Sequence, residues 1–323
     1  MSRCEANCVF IPELQFFRSR RVSGTKPVPK RLEYRIVDVF TDTPFLGNPL
    51  AVFLDARGVT NAAMQNIARE MNLSETVFLL PSDDGTSIAR ARIFTPAKEL
   101  PFAGHPTIGT AYVLATENVV LAKTARFCLQ EIVGAVPIRL ETATTFMAWL
   151  TTPPIVFGEE CDARDCAAAL GLSDYELLPG VIPQVVSAGV PGVFIALRDR
   201  AAVDRAVLDE RKMVDVLRSP GVLERFVFCP TDDGAYSRMF VPGMGIPEDP
   251  ATGGLTGPLA AYMMKNGLVS HASGTRFVSE QGVKMGRRSL LHVIVNGERG
   301  ADGIEVGGTA AIVAEGTLLL PDT

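Results

Sequence analysis

The sequence predicts an α+β protein built from two similar halves, in each of which a curled sheet wraps a helix. The main observation is a repeated phrase: Arg92-Ile93-Phe94-Thr95-Pro96 followed by Pro101 recurs 146 positions later as Arg238-Met239-Phe240-Val241-Pro242 followed by Pro247. Self-similarity at a long spacing indicates one supersecondary unit used twice. In addition, strand-like segments follow one another with one well-placed helix per half, which is typical of α+β proteins.

In the first half, alternating apolar residues predict two strands, 34–40 and 50–54, that form a hairpin. Thr60 is expected to cap a helix over 61–71, because the apolar residues of that segment follow the i, i+3, i+4, i+7 spacing. The remaining predictions for this half are strands over 76–80 and 88–94, a helix with Pro106 in its first turn that runs through 110–116, and strands over 127–130, 137–141 and 146–151.

The second half is expected to repeat this arrangement of strands and helices after Pro153-Pro154, where the chain crosses from one half to the other. Its predicted helices are 163–170, 201–217 and 259–266, and its predicted strands are 192–197, 226–229, 275–280, 290–295, 303–308 and 310–319. Neither copy shows a strand-helix-strand rhythm and no Gly-x-Gly-x-x-Gly follows a strand, which disfavours a doubly wound nucleotide-binding sheet. We therefore expect a basic extension over 1–31, a first domain over 32–150 that the C-terminal strand could complete, and a second domain over 151–323.

Composition narrows the class of partner. The 323 residues are 47% hydrophobic and 21% charged with a net charge of −5, which predicts a globular protein that binds a small molecule rather than nucleic acid or a membrane. Three scattered histidines do not have metal-ligand spacing, and six cysteines without a Cys-x-x-Cys pair indicate reduced thiols in the cytoplasm. The Arg-rich segment 1–31 is either an organelle-targeting peptide or a loose extension.

Two glycine-bearing segments stand where helices are predicted to begin. One is Phe102-Ala103-Gly104-His105-Pro106-Thr107, and the other is Glu248-Asp249-Pro250-Ala251-Thr252-Gly253-Gly254. A helix start presents unpaired backbone N–H groups and a partial positive charge, so it can bind an anion without Lys or Arg. Either glycine segment could instead be only a tight turn before a helix. Because both occupy equivalent places in the repeat, we expect them to hold one small anionic metabolite in a cleft between the two domains.

Three titratable residues are candidates for the chemistry. Glu75 is flanked by apolar residues at the entry to a strand, so its carboxyl could be partly desolvated and serve as the acid or base, although it could also simply cap a turn. His105 lies at the first predicted helix start and could protonate near neutral pH or only donate to a carbonyl. Asp249 is either an ordinary N-cap or a residue that orients the substrate amine or His105.

Several motifs together resemble the PhzF-like family, named for phenazine biosynthesis, in the diaminopimelate-epimerase-like superfamily. They are Asp38-Val39-Phe40, Gly47-Asn48-Pro49-Leu50-Ala51-Val52, Asn72-Leu73-Ser74-Glu75-Thr76-Val77-Phe78, the two glycine segments, Glu280-Gln281-Gly282 and Met285-Gly286-Arg287. They span the chain from about Leu32 to the C-terminus. The resemblance implies two pseudo-symmetric diaminopimelate-epimerase-like domains with the active site between them, a homodimer, and isomerisation by glutamate acid/base catalysis without cofactor or metal.

By motif, the family's glutamate falls on Glu75, its histidine on His105 and its aspartate on Asp249. From the helix starts themselves, we expect substrate contacts at Gly104, Thr107, Thr252, Gly253 and Gly254. Two departures concern the second segment, where the family often has Ser in place of Gly254 and a His two residues further on. The missing hydroxyl removes one donor to a substrate.

Two functional hypotheses follow. The first is an isomerase that moves a proton on a small carboxylate-bearing metabolite, with Glu75 as the acid/base. The second is a metabolite-binding or interaction module on the same scaffold with altered catalysis, which Gly254 favours and the joint presence of Glu75, His105 and Asp249 disfavours. A metal hydrolase is a third and weaker reading, because the sequence offers few metal ligands.

Overall fold

A computed structural model of the chain describes residues 30–120, 126–142, 145–217, 221–244, 246–296 and 303–320. All but the last two residues of the expected basic extension, 1–31, lie outside these ranges. In the part of the chain that is described, no helix has both the length and the apolar character needed to cross a membrane.

The elements of the first part of the chain are β1 (Lys30–Val39), β2 (Asn48–Phe53), α1 (Asn61–Met71), β3 (Glu75–Leu80), β4 (Ala89–Phe94), β5 (Glu99–Leu100), α2 (Gly104–Thr116), β6 (Arg126–Glu131), β7 (Gly134–Glu141) and β8 (Met147–Thr151). They are followed by β9 (Val156–Glu160), α3 (Ala163–Ala169), β10 (Gln184–Ser187), β11 (Pro191–Ala196), α4 (Arg200–Arg205), α5 (Glu210–Val216), β12 (Glu224–Thr231), β13 (Gly234–Val241), β14 (Ile246–Asp249), α6 (Gly253–Lys265), β15 (Thr275–Gln281), β16 (Ser289–Val295), β17 (Ile304–Gly308) and β18 (Ala310–Leu320).

The chain divides into two compact units. Among the described residues, unit 1 comprises 30–39, 49–148 and 309–320, and unit 2 comprises 40–48 and 149–308. The expected domains were 32–150, which the C-terminal strand could complete, and 151–323, and the segment that is placed differently is 40–48. The C-terminal strand lies in unit 1 because β18 pairs antiparallel with β1 along its whole length, and 40–48 lies in unit 2 because Phe40 and Gly47 form backbone hydrogen bonds with Leu290 and Arg288.

Unit 1 joins its strands in a mixed order. β2 and β3 are parallel and α1 connects them, and β3 continues antiparallel to β4. β4 and β6 are again parallel, with α2 between them in sequence, and β6 forms an antiparallel hairpin with β7. Each parallel pair is thus a strand-helix-strand unit.

Unit 2 repeats this order. β11 and β12 are parallel across α4 and α5, β12 is antiparallel to β13, β13 and β15 are parallel across α6, and β15 is antiparallel to β16. The repeated phrase therefore marks a repeated fold, as predicted. The expectation that neither half has a strand-helix-strand rhythm is wrong, because each half contains two parallel strand pairs whose strands are connected through helices.

One helix in each unit is central. Nearly every residue of α2 from Gly104 to Leu114 is buried, and this helix contacts β1, β3 and β18. In the same way α6 is buried from Leu255 to Met264 and contacts β10, β11, β16 and β17. A helix that is apolar all round must be surrounded by protein. Each unit is therefore a sheet curled around one buried helix, which confirms the predicted α+β class.

Capping residues determine where the helices of this chain begin. Thr60 caps α1 by accepting from the N–H of Ala63, and the helix has the predicted bounds, 61–71. The predicted helix over 201–217 is instead two helices, α4 and α5. Asp209 caps the second of them through the N–H of Lys212, so a side chain in the middle of the predicted helix starts a new one.

Candidate active site

In unit 1, Glu75 and His105 form a close pair. Glu75 is the first residue of β3 and lies opposite Leu50 in the parallel ladder. His105 is the second residue of α2, and its Nε2 lies 3.1 Å from Oε2 of Glu75. The side chains are 6% exposed for His105 and 14% for Glu75. The predicted acid/base residue therefore reaches the start of the central helix from a neighbouring strand.

Asn72 accounts for the placement of Glu75. It ends α1 in the left-handed region, with φ 52°, and its backbone N–H donates to the carbonyl of Ala68. Asn tolerates this conformation better than most residues. The chain turns there and enters β3 at Glu75, so the carboxyl stands at the end of a strand rather than on a helix.

The imidazole of His105 is neutral at physiological pH. Its burial disfavours the charged form and lowers its pKa to about 3. A neutral imidazole carries one N–H donor and one acceptor nitrogen. His105 therefore presents a polar, uncharged group 3.1 Å from the Glu75 carboxyl and is not a second acid at neutral pH.

The predicted substrate contacts of the first glycine segment have different environments. Gly104 is the first residue of α2 and is buried, and its N-cap residue, Ala103, supplies no capping side chain. Thr107 is 1% exposed, and its Oγ1 lies 2.7 Å from the carbonyl of Ala103 and 2.6 Å from Oε1 of Glu131. The hydroxyl of Thr107 is thus held inside the protein.

In unit 2, the side chain of Asp249 is at the centre of a hydrogen-bond network. Asn48 Nδ2 donates to Oδ1 of Asp249 at 2.9 Å, and the hydroxyl of Thr252 donates to Oδ2 at 2.6 Å. Gln281 Nε2 donates to the Asp249 carbonyl at 2.8 Å and to Thr252 Oγ1 at 3.0 Å, while Gln281 Oε1 accepts from the Thr252 N–H at 3.2 Å. Asp249 ends β14, and Thr252 is the residue before α6.

This network explains the role of Asp249 in the local structure. It does not act as the N-cap of α6; that position belongs to Thr252, whose side chain makes no capping bond because it is directed to Asp249. Burial raises the pKa of Asp249 to about 6, against the lowering effect of the Thr252 and Asn48 hydrogen bonds. The group can therefore change its protonation state just below neutral pH.

The two glycines at the start of α6 are less enclosed than Gly104. Gly253 is half-buried and Gly254 is exposed, and a Cβ added at Gly254 would meet no heavy atom within 4 Å. Neither central helix is capped by its own N-cap side chain. Backbone N–H groups at such helix starts commonly bind water or a ligand anion.

Sequence reasoning missed three residues that bond to the predicted ones. They are Glu131, Asn48 and Gln281, and each comes from a strand remote in sequence from the residue that it contacts. The motifs that contain Asn48 and Gln281 were visible, but nothing in their spacing indicates hydrogen bonds to Asp249. For the described residues, no group of three or more His, Cys, Asp or Glu side chains has the arrangement of a metal site.

Comparisons with known proteins agree with this fold and these motifs. The model of the family of phenazine biosynthesis-like proteins matches residues 37–316. An isomerase of Mesorhizobium japonicum is 38% identical over 307 residues, covering 89% of this chain and 98% of that protein. Trans-2,3-dihydro-3-hydroxyanthranilate isomerase of Pseudomonas aeruginosa is 37% identical over 295 residues, covering 89% of this chain and 99% of the relative.

A solved structure supports the fold independently. A PhzF-family protein of Bacillus anthracis superposes with a TM-score of 0.81 at 24% identity, covering 90% of this chain and 100% of that one. The architecture is thus the diaminopimelate-epimerase-like one that the motifs imply. The chain belongs to the family of phenazine biosynthesis-like proteins, and it is an isomerase of that family's type.

Proposed function

We propose that this isomerase moves a proton between two carbons of a small carboxylate-bearing metabolite, with Glu75 as the acid and base and without a cofactor. The observation that carries the proposal is the pair formed by Glu75 and His105, whose Oε2 and Nε2 are 3.1 Å apart at the start of α2. The Glu75 side chain is 14% exposed and its Oε2 is buried, so the carboxyl lies in surroundings that are mostly protein.

The proposed step is balanced without an external oxidant or reductant. The carboxylate of Glu75 takes a proton from a carbon of the metabolite, and the C–H electron pair moves into a conjugated double bond. The double bond shifts, and the protonated Glu75 returns the proton to a second carbon. The product has the same atoms as the substrate, and neither is oxidised relative to the other.

His105 supports this step as a neutral group. Because burial holds its pKa at about 3, the ring does not take the transferred proton in the physiological range. We propose that Nε2 carries the ring proton, so that its N–H faces Oε2 of Glu75 at 3.1 Å and stabilises the ionised carboxylate electrostatically. We therefore assign His105 the role of positioning and polarising the base.

Negative charge on the metabolite is proposed to be held by backbone N–H groups at Gly104, with further contacts at Thr107. The start of a helix favours a carboxylate or an enolate oxygen through its partial positive charge. In unit 2 the corresponding residues are Thr252, Gly253 and Gly254, together with Asp249. Since the two units repeat one fold, we propose that these residues likewise bind polar groups of a small metabolite.

Deuterium exchange tests the central claim. In deuterated water the wild-type enzyme should incorporate deuterium into trans-2,3-dihydro-3-hydroxyanthranilate, the compound named in the relative from Pseudomonas aeruginosa, or into another conjugated amino acid that it accepts. Glu75→Gln should reduce exchange by at least ~10³-fold and leave binding within ~10-fold, because the amide keeps the shape but has no proton to pass.

A matched control is Glu70→Gln, which changes an exposed glutamate on α1 five positions away. It should exchange like the wild type. Exchange that continues at the wild-type rate in Glu75→Gln would show that another group is the base.

A second candidate, a metabolite-binding module with altered catalysis, is favoured by Gly254. This position is exposed, has room for a side chain and lacks the hydroxyl that the family often has there. Gly254→Ser distinguishes the two readings. A wild-type protein that binds the anthranilate but exchanges no hydrogen, together with a Gly254→Ser protein that does, would favour the altered module.

We also propose that the protein is a cytoplasmic homodimer. The dimer follows from the family resemblance, and native mass spectrometry of the purified chain measures it directly. Location in the cytoplasm is proposed because Cys166 and Cys229 are buried thiols in a chain whose cores are large enough to fold without disulfides. Imaging of the tagged full chain would reveal a different compartment.

A further inference from the structure

Glu131 is a buried carboxyl at the start of α2 that the proposed mechanism does not use. It is the last residue of β6 and is 4% exposed. Its Oε1 lies 2.6 Å from Oγ1 of Thr107, and its Oε2 is buried without a hydrogen-bond partner among the residues that the structure describes. A buried, partly unsatisfied carboxyl is costly to keep charged.

The geometry around Thr107 favours a protonated Glu131. The hydroxyl of Thr107 also lies 2.7 Å from the carbonyl of Ala103, one helical turn earlier. A threonine hydroxyl has one proton to donate. One proton cannot make two full hydrogen bonds, so both short contacts are full hydrogen bonds when Thr107 donates to the Ala103 carbonyl and Glu131 donates its own proton to Thr107.

The repeat shows which residue occupies this place in unit 2. In unit 1, Ala89 pairs with Leu129 and Arg90 with Gln130 across β4 and β6. In unit 2, Ala235 pairs with Ser279 and Tyr236 with Glu280 across β13 and β15. Because Arg92 and Arg238 are equivalent in the repeated phrase, Ala89 corresponds to Ala235. The next position along the partner strand is Glu131 in unit 1 and Gln281 in unit 2.

Gln281 is a neutral amide that supports the start of its helix. It donates to Thr252 Oγ1 and to the Asp249 carbonyl, and it accepts from the Thr252 N–H. A protonated carboxyl has the same shape as a carboxamide and likewise combines a donor with an acceptor. Unit 1 therefore places a titratable group where unit 2 has a permanently neutral one.

We propose that Glu131 is a positioning residue that supports the first turn of α2 as a neutral carboxylic acid, and that its ionisation weakens the binding of anions at that turn. The inference rests on the proposed function, in which the start of α2 binds an anionic metabolite. An ionised Glu131 would place a negative charge beside the bound anion. It would repel the metabolite and compete with it for the partial positive charge of the helix start.

The surroundings of Glu131 agree with a neutral state at physiological pH. Burial raises its pKa to about 8, and the opposing influence, a hydrogen bond donated by Thr107, is directed to the Ala103 carbonyl in the arrangement described above. The titratable group on the first turn of α2 is the neutral His105, and Glu75 lies 3.1 Å from it. Next to Glu131 on the sheet, β7 presents Gly134, and the nearby Arg90 of β4 is paired with Asp83 at 3.1 Å.

Two measurements test the proposal, and the first needs no ligand. Carbon NMR of the full chain labelled with ¹³C at glutamate carboxyls should show one resonance that titrates near pH 8 rather than near 4.5, and Glu131→Gln should remove it. The titration is seen in the wild type, so the test survives a variant that fails to fold. Absence of such a resonance overturns the proposal.

The second measurement uses 2-aminobenzoate as the probe, since its own charge is constant between pH 7 and 9.5. Its dissociation constant, measured by calorimetry, should rise at least ~10-fold over this range for the wild type and for the control Glu70→Gln. Glu131→Gln should bind it with little pH dependence, a rescue that a purely structural role would not produce.

The outcomes separate this inference from the function on which it rests. A resonance near pH 8 with pH-independent binding in the wild type overturns the role of Glu131 and leaves the anion site intact. A resonance near pH 8 with no binding of the probe at any pH contradicts the anion site itself, and the proposed function fails with it.

Discussion

The imidazole of His105 lies 3.1 Å from the carboxyl of Glu75, and this contact joins a helix start to the end of a strand 30 positions earlier in the chain. Both groups are largely buried, and the ring is neutral because its burial lowers its pKa to about 3. The pair couples a proton-transferring carboxyl to a polar group that keeps one protonation state throughout the physiological range.

Replacing His105 by Asn should lower kcat by about 10- to 100-fold without changing the pH dependence above pH 5. The amide keeps a donor near Glu75 but places it differently, and a ring with a pKa of about 3 contributes no titration above pH 5. Initial rates from pH 5 to 9 for both proteins provide the check. A wild-type limb near pH 6.5 that disappears in His105→Asn would mean that the imidazole is charged in the active enzyme.

The hydrogen bond from Thr252 to Asp249 should set the acid limb of the activity profile. Asp249 has a pKa of about 6 that its Thr252 and Asn48 hydrogen bonds lower, so removal of one bond raises it. Thr252→Val should therefore move the limb of kcat/KM from near pH 6 to higher pH. The matched control is Thr256→Val in α6. The hydroxyl of Thr256 donates to the Thr252 carbonyl and not to Asp249. If the acid limb of kcat/KM lies at the same pH in all three proteins, the titration of Asp249 does not control the activity.

The stability of the wild type should fall relative to Glu131→Gln as pH rises from about 4.5 to about 8. In this window the unfolded carboxyl has lost its proton while the folded one, with a pKa of about 8, retains it, so the unfolded state binds fewer protons and gains from rising pH. The stabilising contribution is complete below 4.5 and lost above 8. At about 1.4 kcal/mol per pKa unit the difference reaches roughly 5 kcal/mol.

Urea unfolding of the two proteins at pH 5, 7 and 9 measures this difference. The titration of Asp249 occurs in both proteins and cancels from the comparison. A constant difference between them would show that Glu131 is ionised in the folded state throughout.

Gly109 should not tolerate a side chain, whereas Gly254 should. A Cβ at Gly109, in the buried helix α2, would lie 2.6 Å from Cδ2 of Leu50 and 2.7 Å from Cγ2 of Val39. Gly109→Ala is therefore expected to lower the free energy of unfolding by about 2–3 kcal/mol through overpacking. Gly254→Ala, at an open helix position, should leave it unchanged or raise it by a few tenths of a kcal/mol. Thermal and urea unfolding of both variants measure these changes. Equal free energies of unfolding for Gly109→Ala and Gly254→Ala would contradict the close packing around Gly109 in α2.

Much of the fold could be predicted because its signals are short-ranged. The bounds of α1 follow from Thr60 and the apolar spacing of 61–71, and the duplicated phrase revealed the repeat before any contact was known. The helix predicted over 201–217 was wrong because a capping bond from Asp209 outweighs a continuous helical pattern. The parallel strand pairs escaped prediction because their partners are joined by tens of residues whose path is not encoded in any local pattern.

The amino-acid sequence by itself determined the duplicated α+β scaffold, the family and the candidate residues Glu75, His105 and Asp249. Only the tertiary structure decided their electrostatic states and supporting partners, among them Glu131 beside Thr107 and Asn48 beside Asp249. The physical reason is that a pKa depends on burial and on hydrogen bonds to groups far away in the chain. Such contacts are created by strand register, which no single segment specifies.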